Sequence, residues 1–223
     1  VIKRLASAYS ARARARRARL FNELLKPKST DRILDLGSED GAHFASVISL
    51  RENVTIADID AEALERGRQT YGFRTALLGE DARLPFEDDE FDIVFCSSVI
   101  EHVTVDKDKL WDFDSNEKFQ REALVRQKQM ADEIARIGKR YFVQTPNRYF
   151  WVESHTWLPG IVVLLPRKLL YRLIRSLGTW WPKGTQPDWN LLTSSEMQLL
   201  FPEATIQLES SLGLTKSLIA VRL

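Results

Sequence analysis

Arg32-Ile33-Leu34-Asp35-Leu36-Gly37-Ser38-Glu39-Asp40-Gly41 reads as a short buried strand that breaks into a glycine-bounded turn and then enters a helix. Ile33, Leu34 and Leu36 leave no polar face on the strand except at Asp35, the pattern of a central parallel strand covered on both sides. Gly37 lets the backbone leave that strand sharply, and Gly41 lets the next helix start close to whatever occupies the turn. Open α/β sheets bind ligands outside the carboxyl ends of their strands, so this is where a nucleotide-like cofactor belongs. Such a turn is a weak signal alone. It gains weight when carboxylates for a ribose and an adenine follow at the ends of the next two strands.

The chain around this turn has 223 residues, 44% of them hydrophobic, with 32 basic and 31 acidic side chains. That is the range of one large domain with a sizeable core, and no Pro/Gly/Ser-rich linker divides it. A net charge of +1 gives a nucleic-acid partner no support. Arg12, Arg14, Arg16, Arg17 and Arg19 crowd the N-terminus, but they alternate with Ala and carry no interleaved aromatics, the pattern of a solvated helix face. The one cysteine, Cys96, excludes an intramolecular disulfide framework and fits a reducing cytoplasm. No secretory segment or 18-residue apolar span appears, so the chain reads as soluble and cytoplasmic.

The helix over residues 4–25 carries Leu5, Tyr9, Ala13, Leu20, Leu24 and Leu25 as its apolar stripe, and Pro27 closes it. After the turn, periodicity predicts a helix over 42–50, a strand over 53–57, a helix over 61–71, a strand over 74–78 and a fourth strand over 91–96. Asp58 falls at the carboxyl end of the second strand, where a carboxylate accepts hydrogen bonds from both ribose hydroxyls, and Ile59 follows it. Its distance from Asp35 matches the roughly 20-residue spacing of a dinucleotide or nucleoside fold. Asp60 reads as the cap of the next helix. Asp81, with Ala82 beside it, is placed to accept from an exocyclic adenine amine. Ser97, Glu101 and His102 follow the fourth strand at the sheet's carboxyl edge.

These blocks together resemble the class I S-adenosylmethionine-dependent methyltransferases, in particular the small-molecule group called methyltransferase type 11. Asp35-Leu36-Gly37 to Gly41, the strand-end Asp58, Asp81-Ala82-x-x-Leu84-Pro85-Phe86, and Phe91-Asp92-Ile93-Val94 leading to Glu101-His102 occur in that family's order. The resemblance implies a Rossmann-like α/β fold, a mostly parallel seven-stranded sheet with an antiparallel C-terminal hairpin and an inserted cap after the fifth strand. It implies S-adenosyl-L-methionine as cofactor, held by Asp35, Gly37, Ser38, Gly41, Asp58, Ile59, Asp81, Ala82 and Ser97. One departure stands out: Glu39 occupies the place of the family's middle glycine. A side chain there can narrow the pocket, although Glu39 and Asp40 can favour a cationic ammonium or sulfonium. The same departure spoils a G-x-G-x-x-G fingerprint and counts against a nicotinamide dehydrogenase.

A long amphipathic helix over 117–137 and a fifth strand over 139–144 continue the alternation. From about 146 to 190 the composition changes to an inserted cap. Tyr149, Trp151, Glu153 and His155 lie in its aromatic loop, which suits an acceptor pocket. Residues 161–177 end in a basic amphipathic segment whose Leu169, Leu170, Leu173, Ile174 and Leu177 oppose Arg167, Lys168, Arg172 and Arg175. That segment fits either a lid packed on its own domain or peripheral contact with a membrane, as a lipid-linked acceptor would require. Thr193-x-x-Glu196 is a capping box, and strands over 204–209 and 214–221 around Gly213 form the expected hairpin.

Methyl transfer from a sulfonium is an in-line displacement that needs orientation and exclusion of water. His102 is the best candidate for a general base where the acceptor must lose a proton, with Glu101, Glu153 and His155 as alternatives. Nothing in the spacing of His102, Glu153 and His155 demands a metal, and none is expected. The reading is thus a methyltransferase for a small-molecule or lipid-linked acceptor, in one domain. The alternative is a non-catalytic binding or regulatory module that lost donor binding through Glu39.

Overall fold

The computed structural model describes residues 2–79, 83–178 and 186–223, with side chains from residue 11 onward. In chain order the main elements are α1 (Ile2–Leu25), β1 (Ile33–Leu36), α2 (Ala42–Val47), β2 (Val54–Asp58), α3 (Ala61–Tyr71), β3 (Arg74–Leu77) and β4 (Ile93–Ser97). There follow α4 (Asn116–Ile137), β5 (Tyr141–Pro146), α5 (Arg167–Leu177), α6 (Ser194–Leu200), β6 (Thr205–Ser211) and β7 (Leu214–Arg222), with short 3-10 turns at Ile100–His102 and Gly160–Leu164. The seven strands form one sheet in the order β3-β2-β1-β4-β5-β7-β6. The expected α/β architecture, with its C-terminal hairpin, is borne out. Leu212 and Gly213 join β6 to β7, both with positive φ, the conformation a two-residue hairpin turn requires.

β1 pairs in parallel with β2 on one side and β4 on the other. The chain therefore winds outward from β1 to β3 and then crosses back to β4. This reversal makes the carboxyl ends of β1 and β4 a topological switch point, the place where such sheets take ligands. Ile33, Leu34, Asp35 and Leu36 are all buried, which is why the strand can afford no second polar residue.

The chain separates into two compact units. The first comprises Val1–Ser97, Glu133–Val143 and Val221–Leu223, and the second Ser98–Asp132 and Gln144–Ala220. In the first unit α1 is anchored by Phe21, which is fully buried and meets Phe44, Phe95 and Phe142 edge-on at ring-centroid distances of 5.9, 5.3 and 5.6 Å. The buried face of this helix runs through Ala13, Phe21 and Leu25; of the expected stripe Ala13 and Leu25 are buried, Leu20 and Leu24 lie partly buried at its edge, and Phe21, left out of it, is the residue most deeply packed. Position 17 lies on that same face by helical spacing.

Two close approaches fix the turn after β1. Gly41 has φ +71, and a Cβ there would stand 2.9 Å from Ile56 Cγ2 and from Phe73. Its smallness thus serves packing against β2 as well as the entry to α2. Gly67 on α3 would place a Cβ 2.5 Å from the carbonyl oxygen of Asp40, so this helix can press on the turn only as glycine.

In the second unit Leu158, Val162, Leu170, Trp189 and Leu191 form a core on which Leu173, Ile174 and Leu177 pack. The apolar face of α5 is thereby turned onto its own unit. Arg167, assigned above to the polar face, is buried: its Nε donates to Tyr171 Oη at 2.6 Å and its guanidinium lies 3.4 Å from the Phe119 ring centroid. An aromatic cradle satisfies a guanidinium that helical phase alone would send to solvent. Among the described residues, no helix is long and apolar enough to cross a membrane.

Phe21→Ala is expected to cost about 3–5 kcal/mol of stability, as large-to-small changes at filled aromatic sites do, whereas Leu20→Ala costs under about 1.5 kcal/mol. Urea unfolding of the two variants checks the assignment, and equal losses would return the stripe to Leu20.

Candidate functional site

In the first unit the turn after β1 brings together several of the residues expected at a donor site. Asp35 has no exposed surface, and its Oδ2 accepts from the Ser38 hydroxyl. Its other oxygen, Oδ1, is buried without a hydrogen-bond partner. Burial first, and then the charge of Asp58, push the Asp35 carboxyl up to about 7 against the opposing Ser38 hydrogen bond. A buried carboxylate oxygen left unpaired costs free energy, and a cationic or N–H-bearing ligand group would remove that cost.

Asp58 closes β2 and accepts two backbone N–H groups, from Glu39 at 2.8 Å and from Asp60 at 3.1 Å. It braces the turn while each oxygen retains a lone pair for a ribose hydroxyl. Asp60 caps α3 by accepting from Glu62 and Ala63, both at 3.0 Å. Ile59, beside it, is 66% exposed. Gly37 donates its N–H to Ala57 at 2.7 Å. Glu39 itself has φ +56, the left-handed region that favours glycine, and its residue is exposed. Asp81 and Ala82 lie outside the described residues. Just after them, Leu84 donates its N–H to Glu133 Oε2 at 2.8 Å, and Arg136 holds the Phe86 carbonyl at 2.8 Å.

Ser97 ends β4. Continuing the register that sets Asp35 against Phe95 brings Ser97 level with the Gly37 turn. Arg17 Nη1 donates to Ser97 Oγ at 3.1 Å. One arginine of the N-terminal run therefore leaves the solvated face and reaches the switch point. Fixing the buried face of α1 through residues 13, 21 and 25 would have singled it out. His43 also belongs here: burial, then the charges of Arg17 and Arg14, pull its imidazole down to about 4, so it is neutral at pH 7. The cleft of about 250 Å³ lined by Lys28, Ser29, Asn53 and Val54 sits at the opposite, amino ends of β1 and β2. It lies away from the turn after β1.

The second unit gathers four of the remaining candidates. Glu101 has no exposed surface; Thr145 Oγ1 donates to its Oε2 at 3.0 Å, while Oε1 has no hydrogen bond and lies 3.9 Å from His155 Nε2. Glu153 Oε1 accepts from the His155 backbone and faces His155 Nδ1, each at 2.7 Å. Its Oε2 accepts from the Thr156 N–H and hydroxyl, each at 2.6 Å. His102 Nδ1 is 3.1 Å from Asp188 Oδ1. The two imidazoles meet edge to face at 4.8 Å, and Trp189 stacks on His155 at 5.4 Å.

Burial pulls the His102 pKa down, but Asp188, Glu101 and Glu153 outweigh it and the net shift is upward. Glu153 and Asp188 move down: burial opposes this, and their imidazole partners prevail. A buried amide clamp holds the cluster. Gln127 donates to the carbonyls of Ile100 at 2.9 Å and Asn190 at 3.0 Å, and Asn190 donates its backbone N–H to the Glu101 carbonyl at 2.8 Å. Asp188, Trp189 and Gln127 carry no motif and were not singled out by sequence. Tyr149 and Trp151 stand 67% and 53% exposed, outside this buried cluster.

A family model described as a methyltransferase domain matches residues 34–113. No curated protein matches the chain. Among solved structures, it is similar to PH0226 of Pyrococcus horikoshii, at 17% identity over 91% of this chain and 84% of that one, with a TM-score of 0.54. A second is an S-adenosylmethionine-dependent methyltransferase of Mesorhizobium loti, at 15% identity over 89% and 94%, TM-score 0.51. A third is the trans-methyltransferase CalH in complex with SAH, at 13% identity over 92% and 54%, TM-score 0.55. At these identities the structures establish the fold. With the family match over the segment from β1 through β4, they bear out the resemblance to class I methyltransferases, whose cofactor is S-adenosylmethionine.

The raised Asp35 pKa has a definite sign. The folded state keeps this proton up to about pH 7 while the unfolded chain loses it near 3.8, so Asp35 removes stability as pH rises across that window. Asp35→Asn should gain on the unsubstituted protein between pH 4.5 and 8, by up to about 4 kcal/mol, the equivalent of that pKa difference. His43 contributes the opposite slope between about 4 and 6.5 in both proteins and cancels in the comparison. Denaturant melts across pH check this, and a difference that does not grow with pH would contradict it.

Proposed function

We propose that the chain transfers a methyl group from S-adenosylmethionine to a small-molecule or lipid-linked acceptor, and that its two units work as one methyltransferase domain. The observation that carries this is the buried, half-partnered Asp35 at the switch point, with Arg17 and Asp58 beside the same turn. The donor is a zwitterion with an added sulfonium charge. Asp35 would take its ammonium, Arg17 its carboxylate, and Asp58 its ribose hydroxyls. Gly37, Ser38, Gly41, Ile59 and Ser97 complete the cradle, and Asp81 with Ala82 would meet the adenine.

The donor brings the activated methyl group; the protein's residues supply orientation and a dry site. Glu101 and His102 would act on the acceptor, with Tyr149, Trp151, Glu153 and His155 contributing to its binding. Exposed Ile161 and Leu164, with Leu169 beside Lys168, support a lipid-linked acceptor and peripheral membrane contact. Only part of the apolar surface of 161–177 remains for that, because α5 packs inward. The exposure of Glu39 argues against the non-catalytic alternative, which needs its side chain in the donor's place.

Calorimetric titration with S-adenosylmethionine should give one site per chain. Asp58→Ala and Arg17→Met are each expected to weaken it more than tenfold, and Glu39→Gly to change it less than fivefold. Absence of heat with folded protein would remove the donor assignment, and binding that appears only in Glu39→Gly would establish the non-catalytic reading. Labelled methyl groups recovered only in the aqueous fraction of a cell extract would exclude the lipid-linked acceptor.

A further inference from the structure

We infer that Glu101, His102 and His155 form a binding site for one divalent transition-metal ion. Each offers a ligand atom, and the three atoms lie within 4.8 Å of one another. Metal bonds of about 2.1 Å place neighbouring ligand atoms about 3 Å apart, so modest side-chain rotation closes the set. Two imidazoles and one carboxylate are the donors that Mn, Fe, Co and Zn ions accept, with coordination positions left open.

Three independent features turn a cluster into a site. The first is Glu101 Oε1, fully buried and without a hydrogen bond, while its sister oxygen is held by Thr145. A buried carboxylate oxygen without a hydrogen bond is costly unless something cationic meets it, and His155 Nε2, at 3.9 Å, stands beyond hydrogen-bond distance. The second is that both imidazoles have Nδ1 against a carboxylate, His102 on Asp188 at 3.1 Å and His155 on Glu153 at 2.7 Å. This arrangement leaves Nε2 of each ring as the free lone pair and is the usual outer support of metal-bound histidine. Glu153 is not a ligand on this geometry, since both its oxygens are already engaged.

The third feature is charge. Glu101, Glu153 and Asp188 bring three carboxylates to two imidazoles, and the buried Arg167 is close enough to feel the charge of Asp188. A divalent ion makes up the balance without requiring both rings to be protonated. The clamp of Gln127 and Asn190 fixes the backbone of Ile100 and Glu101, and Trp189 fixes the plane of His155. Rigid supports of this kind hold ligands in place before the ion arrives. An ion there, with open positions, would bind an acceptor oxygen and favour its deprotonation. That extension rests on the methyl-transfer reading; the site does not.

The test is uptake of Co²⁺ by the full, untagged chain after chelator treatment and dialysis. Visible absorption from cobalt d–d transitions should rise to one equivalent, and Zn²⁺ should displace it. His102→Ala, at the half-exposed ring, should fold normally by circular dichroism and lose at least tenfold in affinity. Glu101→Gln should do the same, because an amide oxygen is a poor ligand. No saturable cobalt spectrum below 100 µM metal, or a one-equivalent spectrum unchanged in folded His102→Ala, would overturn the inference. Because no methyl donor is present, failure here leaves the donor titration untouched, and the reverse also holds.

Discussion

The carboxylate of Asp35 is the constraint on which the first unit turns. It sits on the middle strand of a parallel sheet, with β2 and β4 on either side, and has no exposed surface. Ionised, it would cost several kcal/mol in that position; protonated, it still leaves one oxygen without a partner. Core strands do not keep such a residue for stability, since an apolar side chain of similar size would fill the place better. Ser38 and the elements that press the turn against it, Gly41 on Ile56 and Gly67 on Asp40, make sense as supports of a group held ready for a ligand.

How much of this the sequence disclosed follows from where each signal lies. α3, α5 and the Thr193 capping box were legible to the residue, because caps and periodicity are local. The seven-stranded, mostly parallel sheet with its C-terminal hairpin was legible from the resemblance and from the alternation of strand and helix, while the order of its strands came from the structure. The packing of α1 was not. Its arginines and alanines blur the stripe, and the deciding contact, Phe21 among Phe44, Phe95 and Phe142, joins residues up to 121 positions apart. Arg17 was lost with it, read as one more solvated charge in a run. Arg167 was misplaced for the same reason, since an aromatic cradle formed by Phe119 and Tyr171 has no signature in helical phase.

The second unit shows the same limit from the other side. Glu101, His102, Glu153 and His155 could be named from sequence because ionisable residues stand out in apolar surroundings. Their division of labour could not. It is fixed by Thr145, Thr156, Asp188 and Gln127, ordinary polar residues whose importance lies in which lone pair they occupy. Glu153 has both oxygens engaged, whereas Glu101, a residue of the same type, has an oxygen without a hydrogen bond. Counting hydrogen bonds atom by atom separates two glutamates that residue type leaves equal.

Glu39 can be weighed in the same way. Its left-handed backbone costs about 1–2 kcal/mol relative to a residue in the ordinary region. Its N–H donates to the carboxylate of Asp58 at 2.8 Å, and a hydrogen bond to a charged group contributes about 1.5–3 kcal/mol. The two are comparable, so Asp58 can hold the turn in the shape a glycine would adopt freely. With Glu39 exposed, the departure from the family pattern changes how the turn is stabilised while keeping the backbone in the left-handed shape a glycine would adopt. Asp58 thus braces the turn through both of its oxygens, and on the proposed function it would also receive the ribose, so that a loss at that position would reach both.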